Sequence, residues 1–178
     1  MQVKIPTRQP APNFTLFDLY RIPHSLSEFR GGITILNFWS CECPWAESAD
    51  YNLSPLLEKW GPQVKIVRIA SNANETPDLI LRVADERKLP LVLIDAEQLV
   101  ADLYGAVTTP HFAVIDSQGF LCYQGAFDDT TFRHHTPTHF YLECAVEDLL
   151  IGRLHDPAIT SPYGCAIVRY MDLKHPDK

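Results

Sequence analysis

"ITILNFWSCECPWAESADYNLSPLLEKW", residues 33–60, is the stretch on which the architecture turns. Its first seven residues are near-continuously apolar, the pattern of a strand covered on both faces. Two cysteines spaced Cys-x-Cys follow, Cys41 and Cys43, and then Pro44. Beyond them Ala46, Ala49, Leu53, Leu56, Leu57 and Trp60 recur at spacings of three, four and one, which is a single helical stripe. Pro44 suits the first turn of that helix, where a missing N–H is no loss, and Pro55 is a candidate kink. A strand therefore passes through a short thiol-bearing loop into a helix. In open α/β sheets the working groups lie beyond the carboxyl ends of the strands, so residues 40–45 sit where such folds do chemistry.

Working outward, "NFTLFDL" alternates like an edge strand, and "SLSEFRGG" reads as a short helical turn stopped by glycines. "VKIVRIA" (64–70) is a second covered strand, and the loop "SNANE" after it opens on the same edge as the cysteines. "NETPDLILRVADERKL" is a helix, with acids early and bases late as the macrodipole prefers. "LVLID" is a strand and "AEQLVADLYG" a short helix. "HFAVIDSQGFLCYQG" is a hairpin turning at Ser117-Gln118-Gly119, and "THFYLECAVEDLLIG" is a last helix. The order β-α-β-α-β-α-β-β-α implies an α/β fold, a central mixed sheet with helices on both faces. The whole chain, 1–178, reads as one domain, with residues 1–12 as an extended arm and 153–178 as a C-terminal extension.

A net charge of −7 without a basic run argues against nucleic acid or an anionic membrane as partner. The start, "MQVKIPTRQPAPNF", lacks a charged-then-apolar leader pattern, and no apolar stretch reaches membrane-spanning length. The expected compartment is the cytoplasm. Five cysteines are an odd number in a chain too large to need disulfide stapling, which favours redox or metal chemistry over a structural framework.

The nucleophile in thiol chemistry is the thiolate. A thiolate at a helix N-terminus gains ~0.3–1 kcal/mol from the dipole, and up to ~2 when partly buried. At ~1.4 kcal/mol per unit that lowers the pKa by about one unit, with Glu42 and Glu47 pulling the other way. This chemistry needs the sulfur open to solvent. Cys122 in a strand and Cys144 in a helix read as buried small hydrophobes, Trp45 as packing over the site, and His134 and His135 as solvated loop residues. A Cys-x-Cys pair also suits Cu(I) or Zn, with His111 near in sequence. Two thiolates do not complete a zinc shell, however, and His111 should point away, so neither metal nor cofactor is expected.

With these elements in place the chain resembles a thioredoxin-like redoxin of the alkyl-hydroperoxide-reductase/thiol-specific-antioxidant, peroxiredoxin-like type. The likeness spans roughly residues 10–170 and rests on "APNFTLFDLYRIPHSLSEFRGGITILNFW", on "YGAVTTPHFAVIDSQGFLCYQGAFDD", and on "GCAIV" near the C-terminus. It implies a thioredoxin-like fold, a cis-proline at Pro110 after Thr109, and Cys43 as the reactive cysteine. Thr109, Pro110 and Trp45 would then hold the substrate, an extended segment lying against the backbone before the proline.

Three departures bear on the reaction. Ala46 stands at the second cysteine of the family's Cys-x-x-Cys, and Asn37 where many thioredoxins have a buried acid. The peroxidase motif Pro-x-x-x-Thr-x-x-Cys is absent, since Leu36 and Ser40 stand at its proline and threonine positions. The resolving thiol is left open between Cys41, Cys165 and an external thiol. A 41–43 bridge would close a small, strained ring. The implied function is a thiol–disulfide oxidoreductase exchanging electrons with protein or small-molecule thiols and disulfides. The alternatives are a peroxiredoxin-like peroxidase acting on peroxides and a Cu/Zn-binding module.

Overall fold

A computed structural model describes residues 8–170, so the ends of the arm and of the extension (1–7 and 171–178) lie outside the described residues. Strand β1 (Thr15–Asp18) and strand β2 (Pro23–Ser25) open the chain, and β3 (Ile33–Trp39) leads into helix α1 (Pro44–Trp60). Then come β4 (Val64–Ala70), α2 (Pro77–Glu86), β5 (Val92–Ile94) and α3 (Leu99–Leu103). The two-residue β6 (Thr108–Thr109) precedes the hairpin β7 (His111–Ile115) and β8 (Leu121–Gly125). Helix α4 (Tyr141–Leu150) and the two-residue β9 (Cys165–Ala166) follow. Among the described residues the main sheet has the order β2-β1-β5-β4-β3-β7-β8, with β6 and β9 forming a separate pair. Strands β3, β4 and β5 run parallel, and β7, β8, β1 and β2 are antiparallel to their neighbours.

Strand β3 lies between β4 and β7 and is buried along all seven residues, which is why its sequence shows no polar alternation. Its side chains still alternate between layers. Leu36 and Phe38 join the core beneath α3, with Tyr104, Val67 and Ile69. Ile33 and Ile35 join Leu53, Trp60, Leu142 and Val146 beneath α1 and α4. Trp39, Cys41, Cys43 and Ala46 pack with Ile80 and Ala84 of α2. Helices thus cover both faces, as the element order implies. Helix α1 continues through Pro55. Helix α2 starts at Thr76, whose hydroxyl accepts from Leu79 N–H (3.3 Å), with Pro77 as its first residue.

Two expectations are corrected. Strand β1 is not an edge strand, because the three-residue β2 pairs along its outer side. Cys144 is exposed, not buried, since α4 turns Leu142, Ala145 and Val146 inward. Of the C-terminal extension, residues 158–160 lie along β8. Gln124 N–H donates to Ala158 O (2.9 Å) and Thr160 N–H to Gln124 O (3.0 Å), which covers the open edge of β8. A Cβ on Gly125 would lie 2.4 Å from Thr160 O, so the approach requires glycine there.

Candidate active site

Cys43 is the N-cap residue of α1, and Pro44 takes the first helical position. The peptide bond between Thr109 and Pro110 is cis, and Thr109 O lies 3.0 Å from the Cys43 sulfur. Cys165 Sγ is 2.7 Å from the same sulfur, although 122 residues separate the two in sequence. Strand β9 brings them together. It pairs antiparallel with β6 in the register Thr109↔Cys165 and Thr108↔Ala166. Gly164 makes that approach possible, since a Cβ there would sit 2.0 Å from Thr109 O and 3.1 Å from Pro110 Cδ.

Two expectations change here. Cys43 is 2% exposed, not open to solvent, because Cys165 and its strand lie over it. The backbone edge of Thr109, expected to receive an extended substrate, is taken by the chain's own residues 165 and 166. Cys165 is the more accessible of the two sulfurs, being half-buried.

The thiols differ in acidity. Burial pulls the Cys43 pKa up, but hydrogen bonds from the Cys165 thiol and the Ala46 N–H are among those that outweigh it. The result lies below the ordinary cysteine value. Cys165 is pushed up to about 12, by burial first and then by the hydrogen bond to Cys43 and the charges of Cys43 and Glu75. Cys41 is pushed up to about 12 by burial, then by the charge and hydrogen bonding of Glu75 and by Glu42. Of the two, Cys43 is thus the thiol that gives up its proton more readily, and Cys165 the one that keeps its S–H. Cys41 belongs to a different set of contacts. Its N–H donates to Glu75 Oε2 (3.3 Å) and its carbonyl accepts from Arg87 Nη2 (3.2 Å).

Beneath the loop lies a buried charge cluster. Asp50 accepts from Arg68 Nε (2.8 Å) and Trp39 Nε1 (2.7 Å), and Arg87 reaches its Oδ2 at 3.5 Å. Arg87 also lies over the Trp39 ring and pairs with Glu47 at 3.6 Å, so Glu47 faces a cation. Asn37 is fully buried, and both its side-chain polar atoms lack partners among the described residues. Ser40, at the position of the peroxidase threonine, donates its hydroxyl to Glu75.

Trp45 meets Tyr163 edge-on at 5.0 Å. Both line a cavity of about 310 Å³ that also touches Pro110, Phe127, Asp128 and Phe140. His135 lines it too, whereas His134 pairs with Asp129 at 3.5 Å. His111 packs against Phe38, and burial pushes its pKa down to about 4. Cys122 is buried in β8, its pKa pushed up to about 11 by burial and Asp116. Among the described residues no three His, Cys, Asp or Glu side chains cluster as metal ligands would.

The structure thus brings Cys43, Cys165, Thr109, Pro110 and Trp45 to one edge. Glu75, Gly164 and Tyr163 are the additions. Glu75 had a signal in the sequence, a carboxylate in the loop that opens on the cysteine edge.

The model of the AhpC/TSA family matches residues 7–124. That span contains Cys41, Cys43 and Pro110 and stops short of Cys165. The thiol–disulfide oxidoreductase ResA of Geobacillus thermodenitrificans (strain NG80-2) is 31% identical over 113 residues, covering 61% of this chain and 63% of that protein. The chain thus spans less than two thirds of this relative's length. Two solved structures cover more. One is an uncharacterized conserved protein from Geobacillus kaustophilus, with a TM-score of 0.83, 27% identity and 94% of both chains covered. The other comes from Sinorhizobium meliloti 1021, with a TM-score of 0.80, 27% identity, and 92% of this chain and 94% of that one covered.

Proposed function

The chain belongs to the AhpC/TSA family, and from that premise we propose that it is a thiol–disulfide oxidoreductase whose working pair is Cys43 and Cys165. The observation that carries the reading is the 2.7 Å contact between the two sulfurs at the start of α1, beside Pro110. A disulfide bond is about 2.05 Å long, so a small movement joins them. ResA is named a thiol–disulfide oxidoreductase, which supports the same chemistry here.

The exchange runs in two steps. With the strap displaced, the Cys43 thiolate attacks one sulfur of a substrate disulfide. The Cys43–substrate bond forms, the substrate S–S bond breaks, and the released thiolate takes up a proton. Cys165 then loses its proton and attacks Cys43 Sγ. The Cys43–Cys165 bond forms, and the second substrate thiol leaves with that proton. Two electrons have passed from the protein dithiol to the substrate.

An external thiolate reverses this by attacking Cys165, the more exposed sulfur, and expelling Cys43. A leaving group of lowered pKa departs faster, so the acidity difference favours this direction of attack. Trp45, Tyr163 and Pro110 then border the substrate through the neighbouring cavity. The substrates are protein or small-molecule thiols and disulfides. The peroxide reading draws less support, because the Ser40 hydroxyl is committed to Glu75.

Mass mapping after mild oxidation tests the proposal. A 43–165 bridge is expected in the wild type and none in Cys43→Ser. A 41–43 bridge, or dimers joined through Cys43, would overturn the pairing. Failure to turn over a model disulfide would overturn the activity.

A further inference from the structure

Glu75 stands on the turn after β4 and is 8% exposed. Every partner of its carboxylate donates to it: the Ser40 hydroxyl, Cys41 N–H (3.3 Å), Glu42 N–H (3.4 Å) and Asn72 Nδ2 (3.0 Å). A side chain that only accepts is an ionised carboxylate. Three of these donors belong to the loop that carries Cys41 and leads into Cys43. The fourth, Asn72, reaches the other way. Its Oδ1 accepts from Val168 N–H (2.9 Å), three residues beyond Cys165. The strap is held there twice more, with Ala73 N–H donating to Val168 O (3.1 Å) and Gln98 Nε2 to the same oxygen (2.7 Å).

We propose that Glu75 is the positioning residue that assigns roles to the three thiols of this edge. One buried carboxylate ties the Cys41–Cys43 loop and, through Asn72, the Cys165 strap to a single turn. Its charge adds to burial in opposing ionisation of Cys41 and Cys165, which leaves Cys43 the more acidic thiol of this edge. The inference rests on Cys43 and Cys165 being the working pair.

The other charges around these sulfurs have partners of their own. On the loop, Glu42 accepts from Asn74 Nδ2 (3.4 Å), and Glu47 pairs with Arg87 of α2. On α1, Asp50 is held by Arg68 and Arg87. Before α3, Asp95 accepts from Ser71 and from the Val100 and Ala101 amides. On the strap, Arg169 pairs with Asp102. Glu42 adds to the effect at Cys41, but at Cys165 the carboxylate that acts is Glu75. A like charge nearby disfavours the charged form, so removing it should free these thiols to ionise.

The test is pH-graded alkylation of the reduced protein, with each cysteine followed by mass spectrometry. Among the three thiols of this edge, Cys43 is expected to have the lowest midpoint in the wild type. In Glu75→Gln the midpoints of Cys41 and Cys165 should fall by about one pH unit, and Glu75→Asp, which keeps the charge, should restore the wild-type order. A structural role alone would raise labelling rates at every pH without moving a midpoint. Unmoved midpoints in Glu75→Gln, or an equal shift in Glu75→Asp, would overturn the proposal.

If Glu75→Gln does not fold, Asn72→Ala decides the matter. Untethering the strap should lower the Cys165 midpoint and leave that of Cys41 in place, and an unmoved Cys165 would overturn the role. Disulfide mapping is a separate readout. A missing 43–165 bridge removes the redox pair, whereas an unmoved labelling order removes Glu75's role and leaves the pair standing.

Discussion

Oxidation of the working pair should stabilise the fold by an amount that identifies which cysteines are joined. A 43–165 bridge spans 122 residues, and constraining such a loop in the unfolded chain is worth about 4.9 kcal/mol in the chain-entropy treatment. A 41–43 bridge closes a loop of roughly three residues, worth about 1.6 kcal/mol in the same treatment. In a chain of this length each kcal/mol moves the melting temperature by roughly 2–4 °C. The first bridge thus implies a rise of about 10–20 °C, and the second about 3–6 °C. The assay is thermal unfolding of protein equilibrated with oxidised or reduced dithiothreitol, followed by circular dichroism. Cys165→Ser and Cys41→Ser serve as controls. The large rise should vanish in Cys165→Ser and survive in Cys41→Ser. A rise below about 6 °C in the wild type, or one untouched by Cys165→Ser, would refute the long-range bridge and with it the pairing argument.

Removing the Cys165 thiol takes away the main hydrogen bond that lowers the Cys43 pKa. In Cys165→Ala the alkylation midpoint of Cys43 should therefore rise, with faster labelling at high pH once the cover is gone; a midpoint that stays or falls contradicts the assigned donor. Gly164→Ala places a methyl group 2.0 Å from Thr109 O. It should separate β9 from β6, cost roughly 1–3 kcal/mol in denaturant unfolding, and cut the yield of intramolecular bridge; an unchanged yield would show that the strap does not set the sulfur contact. His111 has its folded pKa depressed to about 4 from 6.5, so the unfolded chain binds the extra proton between those values. Its contribution is complete above pH 6.5 and is lost as pH falls towards 4, a total of roughly 3 kcal/mol. His111→Phe should flatten that part of the stability profile, measured by urea unfolding from pH 7 to 4.

How much was legible follows from the range of each signal. The covered strand, the stripe of α1 and the hairpin at Gly119 are local patterns, because burial on a strand or helix repeats every two or three to four residues along the chain. The strands β2, β6 and β9 span two or three residues, too few for any period to show. Asp50 lies on the buried side of α1, and no local pattern announces the Arg68 and Trp39 side chains that close around it. Cys144 reads as a small hydrophobe until the packed face of α4 leaves it outside.

The sequence by itself determined a thiol at the junction of a buried strand and a helix, and the loop 71–75 on the same edge. Both follow from connectivity, since parallel strands joined by helices must present their carboxyl ends together. Only the tertiary structure decided between Cys41 and Cys165 as the neighbour of Cys43, and placed the strap over a sulfur expected to be open. Contacts between residues 122 positions apart leave no periodic trace. They arise where Gly164 lets one backbone reach another, and that complementarity exists in the folded chain alone.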